Sequence, residues 1–225
     1  NVVAGDDYDV QSSFESCIEN KNEINEKVDL IMRHGGIYEP EFYYDYNSTD
    51  KLTYLCYTGN YYERCVMQSP MLATTMGQEI EDEIGDYIED CFDDVVNELD
   101  RKGYDVDVGD FDFNVDLVPE NIIIEIPVTL SATKEKERKS FEGLEIRKKS
   151  RAYELAMIAI SILNFEARYG DSEVSNYMLH YPELKIVKNK KSDGTTLYFV
   201  SYRETSDKFY FASRSVVLPT GYTID

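Results

Sequence analysis

The residues of this chain equipped for chemistry are four cysteines, two histidines and a large excess of carboxylates. Cys17, Cys56, Cys65 and Cys91 can form disulfides, bind a metal or serve as thiol nucleophiles. A zinc centre is disfavoured, because no CxxC occurs and structural zinc gathers clustered Cys and His ligands. A Ser-His-Asp triad has only His34, beside Gly35, or His180, just before Tyr181 and Pro182, to work with. No GxSxG, HExxH, GxGxxG or phosphate-loop pattern occurs. Carboxylates are too abundant for any one pair to stand out as the facing acid and base of a glycosidase. No catalytic residue is assigned, and no cofactor is expected.

Disulfide chemistry fits the cysteines best. Cys56 and Cys65 flank a tyrosine-rich run centred on Thr58-Gly59-Asn60, which reads as a hairpin turn that sets two sulfurs opposite each other. Cys17 and Cys91 then remain, each on the apolar stripe of an expected helix. Pairing 17–91 with 56–65 is favoured over the other two connectivities. The competing reading is four free, buried thiols in a cytosolic protein. Disulfides persist in oxidising compartments, so the favoured pairing implies an extracellular, cell-surface setting. The sequon Asn47-Ser48-Thr49 agrees and makes Asn47 a candidate glycosylation site.

One metal chemistry is worth carrying. Asp105, Asp107, Asp110 and Asp112, with Asp116, crowd a strand–turn–strand, and calcium takes oxygen ligands from loops. Their spacing does not match an EF-hand, and alternating aspartates on a strand reach solvent singly.

The net charge is −21. That argues against nucleic acid as a partner, since phosphate backbones need Lys and Arg surfaces. The charge is uneven: residues 1–130 carry 31 acidic and 7 basic side chains, and residues 131–225 carry 13 and 16. It reads either as a solvated acidic exterior or as a polarity that stacks acidic end to basic end. No run is apolar and long enough to span a bilayer, so membrane attachment is expected only through a segment outside this sequence.

The elements that must position these residues are legible as an α+β pattern. Ser12 and Glu15 form a capping box ahead of a helix over 13–34, which Gly35-Gly36 ends. Strands are expected over 52–57 and 61–67, in a stretch holding Tyr43, Tyr44, Tyr61 and Tyr62 as candidate contact residues. A helix over 75–102 carries Ile80, Ile84, Ile88, Cys91, Phe92, Val95 and Leu99 inward, with acids on its other faces. Strands over 104–108, 111–117 and 122–130 follow. Residues 131–151 read as an exposed basic hairpin loop, with 141–146 returning as a strand. There Lys134, Lys136, Arg138 and Lys139 are candidate contacts to an acidic neighbour. The helix over 151–168 is apolar nearly all round between Leu155 and Phe165, which predicts a buried central helix. A short helix in 171–181 and a meander over 184–189, 196–203 and 208–217 complete the chain. The expected fold is α+β: largely antiparallel sheet packed with three main helices and stapled by disulfides. Residues 1–103 form a helix–hairpin–helix region and 104–225 the remainder, as one compact unit.

The order of elements resembles a group of uncharacterised exported or membrane-anchored surface proteins of small-genome (DPANN-type) archaea. The resemblance is carried by Ser16-Cys17-Ile18, His34-Gly35-Gly36, Met76-Gly77-Gln78-Glu79-Ile80, Tyr87-Ile88-Glu89-Asp90-Cys91, Gly103-Tyr104-Asp105-Val106 and Tyr153-Glu154-Leu155-Ala156. This chain departs from the group in its Cys56/Cys65 hairpin and in having no membrane segment among its residues. The resemblance implies an archaeal cell-surface setting and no particular activity. The expected function is a surface structural or interaction subunit, self-assembling through heterologous contacts into a filament or lattice. The alternative is a monomeric binding or adhesion module.

Overall fold

The structure, a computed structural model, describes residues 3–4, 8–135 and 137–218. At the start of the chain, β1 (Val3–Ala4) and β2 (Tyr8–Asp9) pair antiparallel. The first helical segment is two helices, α1 (Val10–Asn20) and α2 (Asn22–Arg33), joined at an extended Lys21. The cause is in the apolar spacing. Ile18 and Ile24 are six residues apart, about 240° around a helix, so one straight helix cannot bury both. The break resets the phase, and both are buried. The cap also moves: Asp9, not Ser12, accepts the first-turn N–H, from Ser12 at 3.4 Å. Gly36 (φ +91°) ends α2, and a Cβ there would stand 2.6 Å from Met76 Cγ.

β3 (Tyr43–Asp45), β4 (Lys51–Tyr57) and β5 (Val66–Met67) precede α3 (Leu72–Arg101). Of the strand expected over 61–67, only β5 pairs with β4. Thr58, Tyr62 and Glu63 instead bond to the end of β12 and the residues after it, as in Tyr62 N–H to Val217 O at 2.9 Å. β6 (Asp105–Val108), β7 (Asn114–Val118), β8 (Asn121–Lys134) and β9 (Glu137–Lys149) follow, then α4 (Ala152–Tyr169) and α5 (Ser175–His180), and finally β10 (Leu184–Lys190), β11 (Thr195–Tyr202) and β12 (Lys208–Arg214). The basic segment is therefore regular sheet and not a loop. Phe141, Leu144 and Ile146 of β9 are buried between charged neighbours, the signature of a one-sided strand. A register shift past Ile126 falls where Pro127 has no N–H to donate and Gly143 takes φ +71°.

Among the described residues the first sheet runs β10-β11-β12-β4-β3, with β5 also on β4, and only the β12–β4 pair is parallel. In the second sheet β8 is central, flanked by β9 and by β6 and β7. α2 and α4 lie on the first sheet. α3 packs on α1, α2 and α4 and reaches β7 and β6 of the second. One continuous apolar core joins these layers, drawing residues from both sides of position 103. A smaller cluster lies on the opposite face of the first sheet, where Leu52, Tyr54, Leu197 and Ala212 are covered by Tyr44, Tyr57, Phe199 and Tyr210.

α4 corrects the sequence reading most sharply. Leu155, Ala156, Ala159, Ile162 and Leu163 are buried, but Met157 is 43% and Phe165 46% exposed. The helix is apolar on two sides, and packing covers only one.

Candidate functional site

The uncovered side of α4 is where the structure builds a cleft. α4 stops at Gly170, whose φ of +81° and close approach to Val216 leave no room for a side chain. The chain turns back through Asp171-Ser172-Glu173 so that α5 lies beside α4, joined by the Ser161 and Tyr177 hydroxyls at 2.7 Å. β10 fixes this turn. Lys188 donates to Asp171 and, at 2.7 Å, to the Ser172 carbonyl, while Lys190 stands 3.2 Å from Asp171. The lysines hold the Asp171 carboxyl below the usual carboxylate range, against burial, which acts upward.

Between the helices lies a hollow of about 470 Å³ lined by the rings of Phe165, Tyr169, Tyr177 and Tyr181 together with Asp171, Glu173, Asn176 and His180. Tyr169 is 64% and Tyr181 54% exposed. Ser172 also lines it, is only 1% exposed, and its hydroxyl has no hydrogen-bond partner in the chain. Buried hydroxyls are rarely left so, because an unmade bond forfeits solvation without replacement.

Behind the cleft, on the core side of α4, Glu166 is 1% exposed and accepts a hydrogen bond from Tyr198, itself fully buried. Burial pushes the Glu166 carboxyl up, opposed by the Tyr198 hydrogen bond. Burial, then the adjacent Glu166 charge, push the Tyr198 phenol up as well. Ser161 is engaged by Tyr177 and Glu166 by Tyr198, so these groups brace the cleft.

The sites expected from sequence fall elsewhere. Cys17–Cys91 and Cys56–Cys65 are both disulfides, with Cα atoms 5.7 Å and 5.3 Å apart. Asn47 is exposed, and its side-chain oxygen accepts from the Thr49 N–H and hydroxyl, each at 2.8 Å. Asp105 and Asp107 stand on β6 opposite Thr133 and Ser131, while Asp110 and Asp112 lie in the following connection. Among the described residues no three acidic, His or Cys side chains converge as a metal site. His34 is buried, its ring nitrogens against the carbonyls of Tyr38 and Thr49. Tyr43 and Tyr44 sit on β3 at the sheet edge, and Tyr61 and Tyr62 are exposed beyond β4.

At the basic hairpin, the Lys134 ammonium lies 4.9 Å from the Tyr104 ring centre and Arg138 donates to Ser131. Lys139 faces Ala132, and Lys136 lies outside the described residues. Asp105 and Asp107 are laid alongside, so the division of charge along the chain is partly cancelled in space. Of the cleft residues, the sequence points only to His180, as one of two histidines available for chemistry. The available signal was Met157, Ser161 and Phe165, then Tyr169, at four-residue steps along a second side of α4.

Comparison with known protein families, with characterised proteins and with solved structures gives no match to this chain.

Proposed function

We propose that this chain is a cell-surface interaction subunit that works outside the cytoplasm by binding, not catalysis. The observation that carries this reading is the aromatic face of α4 and α5, left open as a hollow. An exposed apolar patch rimmed by polar groups marks a contact surface. The two disulfides and the exposed Asn47 sequon support an oxidising, extracellular setting. The resemblance to archaeal surface proteins points the same way.

The test is retention of labelled protein on cell envelopes from its source. Native protein should be retained, and the Tyr169→Ala/Tyr181→Ala variant should lose at least ten-fold. Equal retention of the two would remove this face from the account.

A second reading is supported by α3. Asp82, Asp86, Glu89 and Asp93 project from one exposed side of it. A neighbouring copy could present its basic β8–β9 hairpin there, in the head-to-tail manner that builds open arrays.

A further inference from the structure

We propose that the cleft between α4 and α5 binds a neutral saccharide. This deepens the reading of that face as a contact surface and rests on it.

The hollow, about 470 Å³, falls within the range of roughly 300–1,000 Å³ typical of small-ligand sites. Its walls are four aromatic rings, of which Tyr169, Tyr177 and Tyr181 carry hydroxyls, with the Asp171 and Glu173 carboxylates beside them; a tyrosine ring presents an apolar face with a polar edge. A pyranose has the matching form: C–H faces that lie on rings, and hydroxyls around the rim.

Charge selects against the other ligand classes. Asp171 already has Lys188 and Lys190 as counter-ions. Glu173 accepts the Ser175 N–H at 3.0 Å. Among the described residues no lysine or arginine lines the hollow, so nothing there calls an anion. The Arg168 guanidinium stands 5.9 Å from the Tyr169 ring centre, so a cation already attends that ring.

The polar part of the lining excludes a purely apolar occupant: Asp171, Ser172, Glu173, Asn176 and His180 stand among the rings. Covering such groups with hydrocarbon would leave them unbonded, at the full desolvation penalty. Sugar hydroxyls supply the bonds instead, with the Asn176 amide and the His180 ring as partners.

The experiment is saturation-transfer difference NMR on the full chain. The probes are glucose, galactose, mannose and N-acetylglucosamine, their β1→4-linked disaccharides, and choline chloride as a charged control. At least one saccharide should receive saturation, strongest at ring C–H protons. The signal should fall ten-fold or more in Tyr169→Ala and in Tyr181→Ala, with melting temperatures near native. Transfer to no saccharide, transfer to choline alone, or transfer unchanged in both tyrosine variants would each overturn the proposal. If saccharide transfer is absent while envelope retention still depends on Tyr169 and Tyr181, only the ligand class is wrong. If neither depends on them, the contact surface falls as well.

Discussion

Two aromatic regions of this molecule look alike in composition and differ in what they do. On the outer face of the first sheet, Phe42 packs on Tyr57 at 4.4 Å between ring centres, Tyr46 on Phe199 at 5.0 Å, and Phe199 on Tyr210 at 4.9 Å. Of these, Tyr57, Phe199 and Tyr210, with Tyr44, are spent covering Leu52, Leu197 and Ala212, which are fully buried. On α4 and α5, Phe165 and Tyr169 touch each other at 5.7 Å and otherwise wall a hollow. Rim exposure does not separate the two, since Phe42 is 46% exposed, as is Phe165. What separates them is whether the rings have something of their own chain to cover. The rings of 42–57 on the sheet therefore mark a self-satisfied face, and four rings scattered over 165–181 mark the open one.

Substitutions should divide the two regions by effect. The largest loss lies in neither. Breaking Cys17–Cys91, which ties α1 to α3 across a separation of 74 residues, removes about 4.5 kcal/mol in the loop-entropy picture. Chemical denaturation of Cys17→Ser/Cys91→Ser should show it, with Cys56→Ser/Cys65→Ser losing less, about 2.5 kcal/mol for a separation of 9. In the closed region, Tyr54→Ala removes a buried ring and its bond to Thr195, and should cost about 3 kcal/mol.

Behind the open region, Tyr198→Phe strips Glu166 of its donor and should cost about 1–3 kcal/mol. Because burial raises the Glu166 carboxyl in the folded state, its contribution is present at low pH. That contribution is lost as pH climbs past the ordinary carboxylate value through the raised folded one. Melting curves of native protein and Glu166→Gln should therefore diverge from pH 4 to pH 8, the native losing ground. Parallel curves would mean that Glu166 stays accessible to water. The smallest stability effect belongs to Tyr169→Ala, within about 0.5 kcal/mol, because its ring covers little of its own protein.

The comparison also marks what the sequence makes legible. α3 announces itself because Ile80, Ile84, Ile88 and Cys91 repeat at helical steps and all four are buried. The meander β10–β12 follows from alternation and turn residues. The break at Lys21 is encoded in the six-residue gap between Ile18 and Ile24, a phase change that a run of helix formers with a capping signal ahead of it masks. β9 hides behind its charge density. The parallel pairing of β12 with β4 joins residues more than 150 positions apart, and no local pattern encodes it. The cleft is illegible for a similar reason. It exists because Gly170 lets six residues of α5 fold back on α4, and α5 is too short for a periodic signal. An all-round apolar helix says that two sides are apolar, and only its neighbours decide whether both are covered.

Assembly driven by charge makes a further, weaker expectation. Exposed ion pairs are worth about 0–1 kcal/mol each, so contacts between the α3 ridge and a neighbour's hairpin would set register more than strength. Light scattering of native protein and of Lys134→Glu/Arg138→Glu/Lys139→Glu should part at low salt and converge as salt rises. Identical traces at all salt concentrations would leave the acidic surface as a solubility device.

The most direct measurement sets the two aromatic regions side by side on cell envelopes. Labelled native protein, Phe42→Ala/Tyr46→Ala and Tyr169→Ala/Tyr181→Ala are compared at equal concentration, each first shown to be folded. The sheet-face variant should be retained like native, and the α4–α5 variant should lose at least ten-fold. Loss in the sheet-face variant with full retention of the α4–α5 variant would contradict the account and make the tyrosine-rich sheet the working surface.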